Sequence, residues 1–507
     1  MKNRVVHFVI GILAGALIVL TVQNVAGYRR MMRTRYEDWR KLNLVLQTVD
    51  ESYVDTVDRH KVTDAAISAA LSALDPHSIY MPPQQLEKTE EDLSGNFSGI
   101  GIQFNVPNDT AIVIEVIPGG PAEKIGMMPG DRLMRVDTTG IAGVGFPQDS
   151  MVRRMKGPTG TKVVVTVKRG EETIPFEITR GRIPTHSVDA AFMVSDTTGF
   201  LRLSKFSRTT AIEFAEAALR LKDEGMKHLI VDLRDNSGGF FEQAYLLSNM
   251  FLQKGDLVVY MEGLHRKRED FVADGKGLLK DVGLTLLVSD GTASSSEIFA
   301  GAMQDHGRAK LVGRRTFGKG LVQEPVNFTD GSGIRLTVAR YYTPSGRCIQ
   351  KPYSDDYAYD IYKRYENGEM VSADSMNVAN GGIIPDVFVP MDTTKVASFY
   401  INCNKKATAM RFASAFFDAH RSELQAIDAY DALLAYLDKA GLERSFLDFA
   451  RTRDGLAPKG DEWNVERTYM MTQVRALVGR YSKLGDNAFY HLYLSTDEVF
   501  KAAMAVL

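Results

Sequence analysis

The spacing of hydrophobic positions changes several times along this 507-residue chain, and each change predicts a different kind of structure. An unbroken apolar run covers residues 8–22, and residues 36–74 then follow helical spacing. That second stretch ends before Pro76, because proline cannot continue a helix. From residue 185 apolar strands alternate with helical segments, and from residue 396 the spacing is helical to the end. The pattern predicts a multidomain α/β (α+β) protein with helical regions at both ends.

The first apolar run predicts a targeting segment. Lys2 and Arg4 precede residues 8–22, a run long enough for a signal peptide and slightly short for a comfortable membrane span. Asn24 would occupy the −3 position of a cleavage site ending at Ala26, where a small residue is expected. This favours an uncleaved membrane anchor over a cleaved signal, and residues 1–27 are interpreted as one or the other.

Composition narrows the function classes. The chain is 44% hydrophobic and 24% charged, which is typical of soluble globular domains, and its formal net charge of −2 argues against a nucleic-acid partner. Two cysteines, Cys348 and Cys403, are too few for a disulfide scaffold, and the sequence does not reveal whether they pair. With no C-x-x-C or H-E-x-x-H spacing, no metal and no other cofactor is predicted.

Residues 289–323 hold the main candidate chemistry. Between the turn at Asp290-Gly291 and a helical segment beginning at Glu297 lie four hydroxyl residues: Thr292, Ser294, Ser295 and Ser296. The first N–H groups of a helix lack intrahelical partners, so an oxyanion formed beside a serine there would find donors in place. Alternatively, Ser294 and Glu297 fit a capping box, in which the serine only ends the helix. The local sequence leaves both interpretations open.

A candidate base follows 25 residues later. Lys319 lies in a Phe-Gly-Lys-Gly turn that leads into an apolar run of strand character, where Lys319, Leu321 and Gln323 would share one face. Burial lowers the pKa of a lysine toward the range of a general base, which a nucleophilic serine requires. The alternative is an exposed lysine in a glycine turn.

These residues together resemble a known family, the carboxy-terminal processing or tail-specific proteases, which are S41 serine peptidases with a PDZ domain. The chain reads T-A-S-S-S-E-I, M-Q-D, R-A, G and T-F-G-K-G-L-V-Q where the family pattern is close to S-A-S-A-S-E-I, A-x-Q-D, R-A, G and T-F-G-K-G-x-x-Q. It departs at Thr292 and Ser295. The resemblance implies Ser294 as nucleophile, Lys319 as general base and Gln323 as the residue that orients Lys319.

Residues 93–183 resemble a PDZ domain. The sequence S-G-I-G-I-Q-F at 98–104 resembles the carboxylate-binding loop and following strand, and the turns at 116–122 and 126–131 resemble later PDZ turns. The resemblance implies that a substrate's terminal carboxylate binds the backbone of four residues: Gly99, Ile100, Gly101 and Ile102. Glycines let successive N–H groups converge on such a carboxylate, and a strand edge accepts a peptide by β-augmentation.

An oxyanion donor is expected after the strand predicted at 228–234. The following D-N-S-G-G, residues 235–239, resembles the family's D-L-R-x-N-x-G-G phrase. This implies a donor from Gly238 or Gly239, with the choice left open, opposite the N–H of Ser295. A tight turn between strand and helix would also need a glycine, which is the structural alternative.

The resemblance covers residues 36–395 and supports a domain organisation. It predicts an N-terminal helical region at 28–92, which includes an L-D-P-H-S phrase, the PDZ domain at 93–183 and an α/β serine protease core at 184–395. A tyrosine-rich insertion at 355–380 carries no readable function. The helical C-terminal tail at 396–507 has no motif, and such a tail serves packing or self-association, so a homo-oligomer is one expectation.

The expected function is a serine endopeptidase that selects protein or peptide substrates by their free C-terminus. The resemblance implies a periplasmic location, with the N-terminal segment holding the protein to the inner membrane. Four arginines after the apolar run would instead keep the body cytoplasmic by the positive-inside rule, although long domains translocate despite flanking charge. Two alternatives are a non-catalytic PDZ scaffold that binds tails and a hydrolase of non-peptide esters, although no G-x-S-x-G elbow surrounds Ser294.

Overall fold

The computed structural model describes residues 37–106, 109–353, 357–391 and 397–507. The chain forms two compact units, one ending at Leu74 and the other beginning at Asp75. The first unit contains the helices α1 (Glu37–Ser52) and α2 (Arg59–Ser72). The predicted signal or anchor lies outside the described residues, and within the described ranges no helix has the length and apolar character needed to cross a membrane.

The second unit begins with the segment that leads into the predicted PDZ domain. This segment contains β1 (Ile79–Met81), α3 (Pro83–Ser94) and β2 (Asn96–Gly99). The domain contains β3 (Ile102–Asn105), β4 (Ala111–Val116), α4 (Pro121–Lys124), β5 (Arg132–Val136), β6 (Thr139–Gly140), α5 (Gln148–Met155), β7 (Lys162–Arg169) and β8 (Glu172–Thr179), followed by β9 (Gly181–Pro184). The antiparallel sheet has the order β3-β4-β5-β7-β8, so β3 lies at an edge, while β2 pairs with β9.

One face of this sheet is buried because its apolar residues alternate along the strands. Val163, Val165 and Val167 of β7 point to the same face and are buried together with Met151 and Met155 of α5. The helix thus covers the apolar face of the sheet.

The core that follows is built on a mostly parallel sheet. Its elements are β10 (Val188–Met193), β11 (Thr198–Leu203), α6 (Thr210–Asp223), β12 (His228–Asp232), α7 (Phe241–Asn249), β13 (Leu257–Gly263), β14 (Arg266–Val272), β15 (Gly283–Val288), α8 (Ser295–Asp305), β16 (Lys310–Gly313), β17 (Leu321–Asn327), β18 (Gly333–Tyr342), α9 (Asp360–Glu366) and β19 (Val387–Phe388). The sheet order is β10-β11-β12-β15-β16-β19, and only the β10–β11 pair is antiparallel. The carboxyl ends of β12, β15 and β16 therefore meet at one edge.

A second, antiparallel sheet lies in the same unit, with β18 at its centre. β17 pairs with one side of β18, and β1 and β13 pair with the other side. β1 belongs to the segment that follows the L-D-P-H-S phrase, so this sheet joins that phrase to the strand that follows Lys319.

The C-terminal region is helical, as predicted. It contains α10 (Ser398–Lys405), α11 (Thr408–Ala419), α12 (Arg421–Ala426), α13 (Tyr430–Lys439), α14 (Leu442–Asp454), α15 (Glu462–Gly479), α16 (Asp486–Tyr493) and α17 (Glu498–Met504). Helices α10 to α16 share one apolar core, while Val499 and Ala503 of α17 pack on the parallel sheet. Arg132 of the PDZ sheet pairs with Asp418 of α11 at 2.5 Å, so the tail also contacts that domain.

The predicted fold class is confirmed, and the differences are local. The strand predicted at 228–234 ends at Asp232. Lys319 does not lie in a strand, because β17 begins at Leu321 and a bulge separates Val322 from Gln323. The expected shared face of Lys319, Leu321 and Gln323 is therefore wrong, and contacts described below position the two polar residues.

Candidate active site

Three loops carry the predicted site residues, and each follows a different strand of the parallel sheet. Residues 233–239 follow β12, residues 289–294 follow β15, and residues 314–320 follow β16. Because the three strands are adjacent and parallel, their loops meet at the same edge of the sheet. We name these segments after their predicted roles: the oxyanion loop (233–239), the nucleophile loop (289–294) and the base loop (314–320). The fold thus brings the three loops together.

Ser294 lies on a strained turn immediately before α8. Its φ of 56° and ψ of −116° are sparsely populated for a residue with a side chain. Thr292, Ala293, Ser295 and Ser296 are buried, whereas Ser294 is partly exposed. The turn therefore presents one serine of the hydroxyl run to solvent at the N-terminus of a helix.

The other hydroxyls of the run hold the loop in place. Thr292 Oγ1 donates to the Leu233 carbonyl at 2.8 Å, and Ser295 Oγ donates to the Gly239 carbonyl at 2.9 Å. Ser296 Oγ donates to the Asn236 carbonyl at 3.0 Å. These three side chains tie the nucleophile loop to the oxyanion loop, which explains why a run of hydroxyls surrounds Ser294.

The oxyanion loop is ordered by Asn236. Its Nδ2 donates to the Leu203 carbonyl at 2.9 Å, and its Oδ1 accepts the Gly238 N–H at 2.9 Å. A Cβ atom on Gly238 would lie 2.8 Å from the Ser295 nitrogen, so this backbone packs directly against the start of α8. Among the described residues, the N–H groups of Gly239 and Ser295 have no hydrogen-bond acceptor, so both are available as donors.

Glu297 joins the nucleophile to the base loop. Its Oε2 accepts the Ser294 N–H at 2.9 Å and the Lys319 N–H at 2.8 Å. Its Oε1 accepts the Gly318 N–H at 2.8 Å and the Thr316 hydroxyl at 2.5 Å. Burial raises the pKa of Glu297, and these hydrogen bonds oppose that rise. The Glu297 carboxylate thus caps α8, as the capping-box interpretation of the sequence predicted. It also links the nucleophile loop to the base loop.

Lys319 is partly buried. Burial lowers the pKa of its ammonium below the ordinary value of 10.5, and the positive charge of Arg335 acts in the same direction. Glu297 and Asp75 raise that pKa, with smaller effects than burial. The balance favours the neutral amine more than at an exposed lysine.

Gln323 lies next to the L-D-P-H-S phrase. Its Nε2 donates to the backbone carbonyl of His77 at 2.6 Å. Asp75 shapes this turn by accepting the N–H groups of His77 and Ser78, each at 2.8 Å. Burial and, to a smaller extent, the charge of Lys319 lower the pKa of His77 to about 4. The phrase that looked like a helix stop therefore lies beside the predicted base.

The predicted tail-binding residues form a turn that enters the edge strand of the PDZ-like sheet. Gly99 ends β2, Gly101 has a φ of 82°, and Ile102 begins β3. The carbonyls of Ile100 and Gly101 accept the N–H groups of Ala122 and Ile117, at 2.9 and 3.0 Å. The N–H groups of Ile100 and Gly101 have no acceptor in the described part of the chain. The turn thus presents free donors beside an unpaired strand edge.

The structure adds three residues to the candidate site to which the sequence motif gave no role there. Glu297 was visible only as a capping residue, and Asn236 only as one letter of the oxyanion phrase. His77 was visible only as one letter of the L-D-P-H-S phrase. Cys348 and Cys403 are both free, and the described ranges contain no cluster of three or more His, Cys, Asp or Glu side chains suited to a metal ion.

Comparison with family models assigns three parts of the chain. Residues 197–359 match the model of peptidase family S41, residues 98–179 match a PDZ domain, and residues 16–85 match the N-terminal domain of the activating protease CtpB. The S41 match includes Ser294, Lys319 and Gln323, and the PDZ match includes residues 99–102.

Known proteins show the same relationship over most of the chain. A protein of Staphylococcus epidermidis named a CtpA-like serine protease is 33% identical over 360 residues, which are 69% of this chain and 72% of that protein. A Staphylococcus aureus protein of the same name is 33% identical over 349 residues, covering 67% and 70%.

Solved structures with similarity to the chain include two from proteases of this type. The photosystem II D1 C-terminal processing protease is 27% identical with a TM-score of 0.37, covering 68% of this chain and 91% of that one. The PDZ domain of a carboxy-terminal protease from Vibrio cholerae, in complex with peptide, is 28% identical with a TM-score of 0.16, covering 17% and 97%. On the sequence relationship to the staphylococcal proteins, the chain belongs to peptidase family S41 and is a serine-type peptidase with a PDZ domain.

Proposed function

We propose that this peptidase is a C-terminal processing endopeptidase in which Ser294 is the nucleophile, Lys319 is the general base and the PDZ domain selects substrates by their tails. The observation that carries the assignment of the pair is the double hydrogen bond of Glu297 Oε2, which accepts the amides of both Ser294 and Lys319. One buried carboxylate thereby fixes the backbones of nucleophile and base relative to each other.

The reaction begins with proton transfer from Ser294 to the neutral amine of Lys319. The serine oxygen attacks the scissile carbonyl, and the peptide bond breaks when Lys319 returns the proton to the leaving amine. Water then attacks the acyl-enzyme and gives a proton to Lys319, and that proton returns to Ser294 as the acid product leaves. Burial of Lys319 favours this cycle because it keeps a larger share of the amine neutral.

The oxyanion of the tetrahedral intermediate binds the N–H groups of Ser295 and Gly239. Both donors lack another acceptor, whereas the Gly238 N–H is already bound to Asn236 Oδ1. Donors that are fixed before the reaction stabilise developing charge without reorganisation. Gly238 instead allows the close approach of the two loops, since a side chain there would strike the Ser294 backbone segment.

Gln323 orients the base in this proposal. Its amide nitrogen is held by the His77 carbonyl, which fixes the rotation of the side chain and leaves Oε1 as an acceptor. An acceptor at this position can bind Lys319 in both protonation states, because the amine and the ammonium each carry N–H groups. Gln323 is thus the third member of the catalytic group.

The PDZ domain captures the free carboxylate of the substrate. The unpaired N–H groups of Ile100 and Gly101 supply donors, and β3 offers a sheet edge along which an extended tail can pair. This supports selection of protein or peptide substrates by their C-terminus, with cleavage at an internal bond.

A matched pair of peptides tests tail selection on the full chain. The two peptides are identical except that one ends in a free carboxylate and the other in an amide. Hydrogen bonds to a charged group contribute about 1.5–3 kcal/mol, so amidation should raise KM about 10- to 100-fold with little change in kcat. Equal KM values would eliminate carboxylate capture and leave the serine–lysine chemistry standing.

The second candidate is a non-catalytic PDZ scaffold, which the alternative reading of the sequence allowed. It predicts tail binding without product. Mass spectrometry of the free-acid peptide after incubation with the wild-type chain and with Ser294→Ala separates the two functions, since only the protease gives two fragments that are absent with the variant. A panel of simple esters in the same assay tests whether the chain is instead a hydrolase of non-peptide esters.

We also propose that the chain is exported and held at the outer face of the inner membrane by residues 1–27. The apolar run at 8–22 with Lys2 and Arg4 supports this. Protease added to intact spheroplasts of a Gram-negative host should digest a C-terminally tagged full-length chain. Protection until lysis would place the body in the cytoplasm, as the arginines after the run would predict.

A further inference from the structure

The tyrosine-rich insertion lies against the loop that carries the proposed base. We define the brace segment as residues 357–381, which contain α9 and short 3₁₀ turns at Tyr357–Tyr359, Ala373–Ser375 and Val378–Asn380. Several tyrosines of the segment are exposed, but its charged residues Arg364 and Glu369 are 2% and 3% exposed. Buried charges in a segment with no assigned role call for an explanation, because burial of an ion is costly unless it is bound.

Arg364 binds three consecutive carbonyls of the base loop. Its NH1 donates to Arg315 at 3.2 Å and to Thr316 at 3.0 Å. Its NH2 donates to Phe317 at 3.0 Å. A planar guanidinium can hold several carbonyls at once in one fixed arrangement, which a lysine cannot. Arg364 therefore fixes the backbone immediately before Gly318 and Lys319.

A second buried ion pair ties the same loop to the end of the brace segment. Arg315 binds the Glu369 carboxylate through Nε at 2.5 Å and NH2 at 2.9 Å. Its NH1 donates to the carbonyls of Asn380 and Gly381, at 2.9 and 2.8 Å. Asp360 Oδ2 lies 3.0 Å from Arg364 Nε, so each guanidinium has a carboxylate partner. The same Asp360 oxygen lies 3.1 Å from Nζ of the buried Lys351, so this carboxylate faces two cations.

Tyr357 reaches the other end of the base loop. Its hydroxyl lies 2.5 Å from His77 Nε2 and accepts a hydrogen bond from Gln350 Nε2 at 3.3 Å. Gln350 Oε1 in turn accepts the Gly320 N–H at 3.0 Å. The brace thus contacts both sides of Lys319, directly before it and, through Gln350, directly after it.

The two sets of contacts complement each other. Glu297 binds the amides of Gly318 and Lys319 from the side of the nucleophile, while Arg364 binds the preceding carbonyls from the opposite side. Glu297 reaches the peptide planes on both sides of Gly318, and Arg364 holds the two preceding planes and shares the plane between Phe317 and Gly318. Gly318 has a φ of 90° and, because it lacks a Cβ atom, little intrinsic preference for this one conformation.

We propose that the brace segment is a positioning element of the active site, with Arg364 and Tyr357 as its positioning residues for Lys319. The inference rests on the proposed role of Lys319 as general base. Arg364 acts through the backbone of the base loop, and Tyr357 acts through Gln350 and His77. Weakening the brace lets the base loop move relative to Ser294, which slows the chemical step and admits water to Lys319.

The test compares full-length variants with one matched substitution elsewhere. Arg364→Lys keeps the charge and removes the fork, and Arg451→Lys makes the same change at a 69% exposed arginine of α14. Since a displacement of about 1 Å can cost about 100-fold, we expect Arg364→Lys to lower kcat about 10- to 100-fold with KM within about twofold. Arg451→Lys should match the wild type.

The pH dependence of kcat separates positioning from a general loss of structure. Hydration of Lys319 weakens the effect of burial, so the rise of kcat with pH should move to higher pH in Arg364→Lys. Arg335, Glu297, Asp75 and His77 also act on this amine and remain unchanged. A fall in kcat that only follows the folded fraction, with the wild-type pH midpoint, would overturn the proposal.

Tyr357→Phe keeps the proposal testable if Arg364→Lys does not fold. It removes only the hydroxyl, and we expect kcat to fall about 3- to 10-fold with the same direction of movement in the pH profile. An unchanged pH profile in a folded Tyr357→Phe would overturn the proposal. Lys319→Met, measured in parallel, separates failure of the proposed base from failure of the brace inference. If Lys319→Met retains activity, the proposed base is wrong. If it is inactive and the brace variants behave as the wild type, only the brace inference fails.

Discussion

The nucleophile loop and the base loop meet at one edge of the parallel sheet but are held in different ways. Ser294 is fixed mainly by side chains next to it in the chain, since Thr292, Ser295 and Ser296 bind the neighbouring oxyanion loop. Lys319 is fixed by groups from separate parts of the chain, among them Glu297 and Arg364. The nucleophile loop should therefore tolerate the loss of any one supporting contact better than the base loop does.

The largest effect is expected for Ser294→Ala, which removes the nucleophile itself. Activity should fall about 10⁴-fold or more, because removal of a catalytic serine leaves only binding and oxyanion stabilisation. Melting temperature should change little, since Glu297 still accepts the amide of residue 294. Peptide cleavage and thermal unfolding measured on the same preparation check both parts. Full activity in this variant would move the nucleophile to another residue.

The next largest effect should follow from Glu297→Gln, which breaks the bridge between the loops. The side-chain NH2 group of the glutamine would face one of the donors that the Glu297 carboxylate accepts. That buried donor would be left unpaired, at a cost of about 1–3 kcal/mol. We expect kcat to fall about 100-fold while KM changes little, as expected for lost alignment. Steady-state kinetics with the free-acid peptide measures this. Proportional loss of folded protein and of activity would show that Glu297 serves stability alone.

A smaller effect is expected for Gln323→Leu, which tests the base side without touching Glu297. The variant loses the hydrogen bond to the His77 carbonyl and the proposed acceptor for Lys319. Loss of one orienting hydrogen bond of about 0.5–1.5 kcal/mol should lower kcat about 3- to 10-fold. Gln425→Leu is the matched control, because this exposed glutamine of α12 also donates to a backbone carbonyl, that of Tyr481 at 3.2 Å, and the variant should keep the wild-type kcat.

The smallest effect should come from Ser296→Ala on the nucleophile side. It removes one of the three hydroxyl contacts, the bond to the Asn236 carbonyl, and should cost about 1 kcal/mol of stability. Because two contacts remain, kcat should stay within about threefold of the wild type. Denaturant unfolding and kinetics check the two values. A loss as large as that of Glu297→Gln would remove the contrast between the loops.

The fold class and the segments that contain the candidate site residues could be predicted from the sequence, because both depend on local patterns. Alternating apolar strands and helices indicated the α/β core, and a continuous motif gave Ser294 and Lys319 as the candidate nucleophile and base. The supports of Lys319 could not be predicted in this way. His77, which binds Gln323, and Arg364, which binds the base loop, come from distant segments, and these contacts depend on tertiary packing that no local spacing encodes.

Boundary errors had a similar origin. Lys319 was predicted to share a strand face with Leu321 and Gln323 because the run after it is apolar. The strand begins only at Leu321, since the amides of Gly318 and Lys319 bind a buried carboxylate instead of a neighbouring strand. The Glu297 side chain of α8 thus replaces the backbone hydrogen bonds that a strand would make at these residues. Strand propensity alone does not indicate such a replacement.

The central claim, that a neutral Lys319 activates Ser294, is tested most directly by the pH dependence of Ser294 phosphonylation in the full-length wild-type chain. The serine oxygen displaces fluoride from the phosphorus of a fluorophosphonate reagent, so the rate reports activation of the serine without a contribution from tail binding or product release. Neutral lysine increases with pH and burial lowers its pKa, so the rate should rise through one ionisation with its midpoint below 10.5. A rate independent of pH across the range from about 6 to 10.5 would contradict the account.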